Sequence, residues 1–250
     1  MPLQEELELQ GSWLFKFRGT LPLLLMAMGL GYYLWNQYYH TYPFAPGSSK
    51  EKFYMYACIA IALLGLAVRC YVVGHTPANT SGRNTEDQIA DTINTTGMYS
   101  MVRHPLYVGN FLMWLGPALL SANFWFVTAF ILIYWVYYER IMFAEEQFLR
   151  KKFGERYLSW AGKVPAFIPN PRLYVKPSIS FSIKKVLKKE KNGLAALFIV
   201  FYLFYALGAY AAGGKPTDNI LLFLTIISTV IYFILKFIKR RTKLLDEEGR

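Results

Sequence analysis

The sequence predicts an all-α fold, a polytopic transmembrane helical bundle of about six spans with an interfacial amphipathic helix. Three observations predict it. First, 54% of the 250 residues are hydrophobic, 18% are aromatic and only 17% are charged, whereas a soluble domain carries roughly 25% charged residues. Second, six separate stretches are apolar over nearly the ~20 residues that a spanning helix needs. Third, the basic residues collect in alternate loops, as they do in proteins that cross a membrane.

In chain order the stretches are Thr20 to Tyr39, Phe53 to Val73, Pro105 to Ala122, Phe124 to Phe143, Gly193 to Ala212 and Asn219 to Ile238. The third and fourth are joined by Ser121 to Asn123 alone, which forces an antiparallel hairpin, and neither carries a charge before Glu139. Cys58 and Cys70 fall in one predicted helix, about 18 Å apart at ~1.5 Å per residue, too far for a disulfide. The N-terminal MPLQEELELQ is acidic and lacks the basic-then-apolar order of a cleaved signal, so the first span is expected to direct insertion.

With six spans, one set of loops holds the N-terminus, residues 69–104, residues 139–192 and the C-terminus. Counting Lys236 at the end of the sixth stretch with the C-terminus, that set contains 24 of the 27 Lys and Arg, leaving Lys50, Lys52 and Lys215 on the other side. Basic loops mark the cytoplasmic face, so both termini are expected to be cytoplasmic. The net charge of +11 follows this boundary rather than a recognition motif, which argues against a nucleic-acid partner.

The chain divides into residues 1–83 with N-terminal membrane helices, a core at 84–170 built on the hairpin, and a basic linker with two further helices at 171–250. Between the second and third spans lies a polar stretch too long for a simple connector, the kind of segment that tends to be functional or disordered. Asn79-Thr80-Ser81 and Asn94-Thr95-Thr96 match the glycosylation pattern, but a cytoplasmic loop gives that pattern no meaning. Leu149, Phe153, Tyr157 and Trp160 recur at helical spacing among basic residues and predict the interfacial helix. The lysine cluster of SISFSIKKVLKKEKNG suits anionic head groups of membrane lipids and reads first as a solvated flank of the fifth span.

Two clusters carry chemistry. In GMYSMVRHPLYVG, Arg103 and His104 precede Pro105, which opens the third span. Proline is ordinary at a helix start, and an arginine there can simply anchor the membrane edge. Yet Arg, His and two tyrosines converge on a helix N-terminus, whose N–H groups and dipole favour an anionic ligand group. In ERIMFAEEQFLRKKFGERY, Glu145 and Glu146 follow the fourth span, and Glu146 and Arg150 are spaced for a weak surface pair. The hairpin returns this end to the face where the third span begins, so Arg103, His104 and Glu145 are expected to meet.

Other chemistries lack their residues. His40, His75 and His104 do not fall at metal-ligand spacing, and neither HExxH nor CxxC occurs. There is no Ser nucleophile in a G-x-S-x-G elbow, and Gly29-Leu30-Gly31 lies inside a span with no preceding strand.

Taken in order, G-x-Y-x-x-x-R-H-P-x-Y-x-G, a hairpin, the Glu-Glu pair, F-G-x-x-Y and V-P-x-x-x-P resemble the isoprenylcysteine carboxyl methyltransferase and phospholipid methyltransferase superfamily. The resemblance runs from about Asn84 to Pro169. It implies an S-adenosylmethionine-dependent methyltransferase acting on a lipidic or small amphiphilic acceptor. By that resemblance Tyr99, His104, Pro105, Leu106 and Tyr107 line the cofactor, Glu145 holds it from the other side, and Ile93 and Asn94 add backbone contacts. Arg103 and Glu146 are then the candidate catalytic pair, Glu146 binding cofactor or substrate. The cofactor's two cationic groups and its carboxylate call for acids, aromatic faces and a donor-rich helix end, all present here.

One position departs from the pattern. The prenylcysteine enzymes place an arginine one helical turn before the glutamate to read the substrate carboxylate, and Ile141 stands there. Arg140 is adjacent but turned about 100° away on a helix. A lipid head group or thiol is therefore as compatible as a carboxylate. Two alternatives stay open, an NADPH-dependent enzyme resembling the membrane sterol reductases and a non-catalytic membrane scaffold.

Overall fold

The computed structural model describes residues 2–78, 80 and 90–249. Asn79, Ser81, the boundary at residue 83 and the start of the family resemblance at Asn84 lie outside the described residues. Among the described residues the secondary structure is helical, with one isolated bridge between Gly97 and Val175. Six helices occupy the expected apolar segments: α2 (Thr20–Tyr38), α3 (Ser49–Gly74), α5 (Pro105–Leu119), α6 (Phe124–Phe153), α8 (Ile183–Ala211) and α9 (Asn219–Arg241). Three shorter ones are α1 (Leu3–Lys16), α4 (Met98–Met101) and α7 (Glu155–Ala161).

Short polar side chains start the long helices by satisfying orphan N–H groups of the first turn. Ser48 accepts from Glu51 N at 3.2 Å, Asn123 from Phe126 N at 2.8 Å, Ser182 from Lys185 N at 3.1 Å and Asp218 from Leu221 N at 2.9 Å. At the far end of α5 the last carbonyls are taken up by tyrosines of the α2–α3 region: Tyr42 donates to Leu120 O at 2.9 Å and Tyr54 to Leu119 O at 2.6 Å. In a membrane interior such groups must be paired within the protein.

Helices α3 and α5 form the closest pair, because glycines let their backbones approach. A Cβ on Gly65 would meet Gly109 O at 2.5 Å and Met113 N at 2.6 Å, and one on Gly116 would meet Cys58 O at 2.6 Å. Small residues at such spacing are how membrane helices gain packing without a hydrophobic driving force between them. Two buried clusters follow. One joins α2, α3, α8 and α9 around Tyr33, Ala62, Phe201 and Leu221. The other joins α1, α2, α5 and α6 around Phe15, Phe130, Tyr134 and Ile141. The outer faces of α6 and α9 expose Trp125, Leu132, Trp135, Phe223, Ile226, Phe233 and Phe237, an apolar surface suited to lipid.

About six spans is refined by helix lengths. α3, α6, α8 and α9 are each long and apolar enough to cross a membrane, and α1 with α2, bent by 68° between them, can supply a fifth. α5 has 15 residues, about 22 Å at 1.5 Å per residue, against a hydrocarbon core of about 30 Å. The proline at its start and the tight turn at Ser121 bound it on both sides.

One element is added and two local expectations change. The acidic N-terminus is helix α1, laid across α6: Tyr137 donates to Leu14 O at 3.1 Å, Tyr138 to Arg18 O at 2.7 Å, and Lys151 pairs with Glu8 at 2.5 Å. The interfacial helix is two pieces, because Gly154 adopts φ +55°, a conformation suited to glycine, and separates α6 from α7. Tyr157 is consequently buried rather than laid on lipid. The lysine cluster is not a solvated flank: α8 already begins at Ile183, and Lys185, Glu190 and Lys191 are buried on it. The Lys185 ammonium donates to Thr76 O at 2.5 Å and Pro77 O at 3.0 Å, tying α8 to the end of α3.

Candidate functional site

The RHP segment is held in place by the stretch after α7. Arg103 N donates to Pro165 O at 2.8 Å, His104 N to Ala166 O at 3.2 Å and Asn170 N to Met101 O at 2.9 Å, while Gly97 N bonds Val175 O at 2.8 Å. The V-P-x-x-x-P motif is thus a backbone strap along residues 97–104. It also uses two N–H groups just ahead of α5, so the side chains carry more of the site's polar chemistry than the helix end alone.

Above this strap the hairpin brings the two sequence clusters together. His104 Nε2 lies 2.9 Å from Glu146 Oε1, and its Nδ1 lies 3.5 Å from Glu145 Oε2. Tyr107 donates to Glu145 Oε1 at 2.7 Å. Arg103 Nε approaches Glu146 Oε1 to 2.9 Å and its Nη1 donates to Ala161 O at 2.7 Å. Burial pushes the His104 imidazole pKa down, but hydrogen bonds and charge from Glu145 and Glu146 outweigh it and raise the pKa above its ordinary value. Burial raises the phenol pKa of Tyr99, assisted by the Glu145 charge.

These groups face a cavity of about 920 Å³ located where the two buried clusters meet. Ile93, Asn94, Tyr99, Arg103, His104, Pro105, Leu106, Tyr107 and Glu145 all line it, and Glu146 does not. Glu146 stands beside His104 and Arg103, 2.9 Å from each. Ile141 is wholly buried in the α1–α6 core, and Arg140 lies beside Glu139 at 3.8 Å, so the family's carboxylate-reading arginine has no counterpart on that turn. On the cavity wall the Trp160 indole N–H is buried with no acceptor among the described residues.

Sequence reasoning missed the opposite wall. Arg69 of α3, Asn110 of α5 and Glu190 with Gly193, Ala196 and Val200 of α8 also line the cavity, as do Phe15 and Arg18 from the first helices. Arg69 Nε and Nη2 donate to Glu190 at 2.9 and 2.7 Å, and Nη1 donates to Asn110 Oδ1 at 2.6 Å. A signal existed for Glu190, the one acid within a lysine-rich run that leads into an apolar helix.

Residues 55–156 match the phospholipid methyltransferase family. Among curated proteins the chain is similar to protein-S-isoprenylcysteine O-methyltransferase of Schizosaccharomyces pombe, 40% identical over 75 residues, which is 30% of this chain and 32% of that protein. It is 31% identical over 128 residues to a probable protein-S-isoprenylcysteine O-methyltransferase of Oryza sativa subsp. indica, 50% of this chain and 65% of that protein. It is also 34% identical over 84 residues to the cobalt-zinc-cadmium resistance protein CzcN of Cupriavidus metallidurans, 34% of this chain and 38% of that protein. The chain thus spans between about a third and two thirds of these relatives' lengths. No solved structure matches it.

Proposed function

We propose that this protein is an S-adenosylmethionine-dependent membrane methyltransferase whose acceptor is a lipidic or small amphiphilic molecule. The observation that carries this reading is the polar cluster of His104, Tyr107 and Glu145 on the wall of a cavity that also has an apolar stretch at Met113, Trp114, Pro117, Leu197 and Val200. The similarity of residues 55–156 to membrane methyltransferases supports the same reading.

The lining fits the cofactor's chemistry. At about 920 Å³ the cavity lies near the top of the roughly 300–1,000 Å³ range of small-molecule sites, leaving room for an acceptor. Glu145 supplies a carboxylate for an ammonium group, with one oxygen fixed by Tyr107. The rings of Tyr107 and Tyr138, 5.0 Å apart between centroids, offer π faces to a cation. Trp160 N–H is a buried donor with no acceptor among the described residues.

When bound, S-adenosylmethionine would supply a methyl group on a cationic sulfur to the acceptor's lone pair, with S-adenosylhomocysteine as the leaving product. The protein's contribution is orientation and exclusion of water. Glu146 accepts from His104, with Arg103 beside it, and keeps both side chains fixed. The apolar walls disfavour concentrated charge, which helps a step that disperses a cation. Ile93, Asn94, Tyr99, Pro105 and Leu106 complete the cofactor's enclosure. The protein is read as multi-pass, with both termini cytoplasmic.

Two measurements test the reading. Calorimetry on the purified protein is expected to show saturable binding of S-adenosylhomocysteine and none of NADPH. Membranes containing the protein, incubated with methyl-labelled S-adenosylmethionine, are expected to yield a labelled lipid-extractable product. Saturable NADPH binding with no S-adenosylhomocysteine binding would move the assignment to a reductase.

A further inference from the structure

We propose that Arg69, Asn110 and Glu190 form the subsite that takes the polar head of the methyl acceptor, and that it selects an amphiphile whose head hydrogen-bonds without net negative charge. The inference rests on the methyltransferase reading and names residues that determine acceptor choice. Two of them lie on α3 and α5, whereas Glu190 lies on α8, beyond the segment at 55–156 that matches the family.

Position comes first. Asn110 is three residues beyond Tyr107 on α5, on the same side of the helix and about 4.5 Å further along its axis. Methyl transfer needs its reacting atoms about 3–3.5 Å apart, so an acceptor head must sit immediately beside the sulfonium that the Tyr107 ring faces. Arg69, Asn110 and Glu190 offer polar atoms at that depth. Past them the wall turns apolar with Met113, Trp114, Pro117, Leu197 and Val200, a suitable place for a chain.

Charge comes second. Arg69 is bound by both Glu190 oxygens, at 2.7 and 2.9 Å, and the two side chains are only 13% and 4% exposed. The pair cancels its own charge, and what faces the cavity is a dipolar set of donors and acceptors. A lone carboxylate meets in Arg69 a cation already neutralised by Glu190, while a hydroxyl, thiol or amine finds hydrogen-bonding partners. A buried pair of this kind adds little stability over apolar residues of equal volume, and ionisable groups within membrane helices commonly mark function.

Space comes third. Gly193, one turn after Glu190 on α8, lines the cavity, and a Cβ there would meet the Met113 methyl at 3.3 Å and Glu190 Oε2 at 3.5 Å. Its missing side chain keeps the passage open between the polar triad and the apolar end.

The test uses two probes of equal chain length, 12-bromododecanol and 12-bromododecanoic acid, titrated into the full chain in phosphatidylcholine nanodiscs with and without S-adenosylhomocysteine. Bromine quenches nearby tryptophan, and subtracting a Trp114→Phe variant isolates the cavity signal. The alcohol is expected to quench Trp114 at a concentration at least tenfold below that of the acid. Glu190→Gln, which frees the Arg69 charge, is expected to erase or invert that preference while leaving S-adenosylhomocysteine affinity within about twofold. Should Glu190→Gln fold poorly, the Arg69→Met/Glu190→Met double variant is expected to fold and lose the preference. Equal quenching by both probes, no saturable Trp114 signal, or a preference unchanged in these variants overturns the subsite. Failure of S-adenosylhomocysteine to bind overturns the methyltransferase reading instead, and the probe preference is still read without it.

Discussion

His104 and Glu146 are bound to each other, Nε2 to Oε1 at 2.9 Å, but only His104 faces the cavity. The adjacent glutamate, Glu145, faces in and reaches the other ring nitrogen at 3.5 Å. Successive residues on a helix point about 100° apart, so one glutamate serves as lining and the other as support. Glu145→Gln is therefore expected to weaken S-adenosylhomocysteine binding roughly tenfold or more, the size of a lost charged hydrogen bond of ~1.5–3 kcal/mol. His104→Ala is expected to do the same. Glu155→Gln, exposed at the start of α7, serves as the control and should bind like the parent by calorimetry.

The charge on His104 makes stability depend on pH in a defined direction. Its folded-state pKa is raised above the ordinary histidine value of 6.5 by Glu145 and Glu146, which outweigh burial. The stabilisation is fully present below pH 6.5 and is lost as pH rises through the raised folded value. Comparing thermal unfolding of the parent and His104→Gln from pH 6 to 9 checks this. The gap between them should be widest at the acid end; a gap that grows with pH contradicts the assignment.

The α3–α5 contact should tolerate no added bulk. Gly65→Leu and Gly116→Leu each drive a side chain into backbone that a bare Cβ already meets at 2.5–2.6 Å. Overpacking typically costs ~1–3 kcal/mol, and here forcing the two backbones apart also moves Asn110 and Arg69. Lowered melting temperature together with loss of S-adenosylhomocysteine binding is the expected outcome. By contrast, Gly31→Ala, with nothing near its Cβ, should behave as the parent.

Reporter fusions address topology. With 24 of 27 basic residues assigned to one side, fusions at both ends are expected to report the cytoplasm. Termini on opposite sides would mean an odd number of crossings, as when α1 with α2 crosses once and the 15-residue α5 does not cross.

The sequence by itself determined the helical membrane architecture, because apolar runs long enough to cross a bilayer and a one-sided distribution of lysine and arginine are properties of composition along the chain. It also marked the hairpin of α5 and α6, since a three-residue connection leaves two apolar helices no other arrangement, and with it the meeting of His104 and Glu145. Tertiary structure alone decided the rest. Whether Glu145 or Glu146 faces inward depends on the rotation of α6 about its axis, which is set by Ile141 and Tyr138 packing against α5 and α1. That α1 crosses α6 depends on close approach at Gly11, where a Cβ would meet Arg140 O at 2.0 Å. Glu190 reads along the chain as one acid among lysines. It becomes half of a buried ion pair only because α8 packs against α3 and brings Arg69, 121 residues away in sequence, within 2.7 Å. Pairings between distant segments leave no local periodicity to read, and they are what turn an apolar bundle into a site with a polar wall on each side.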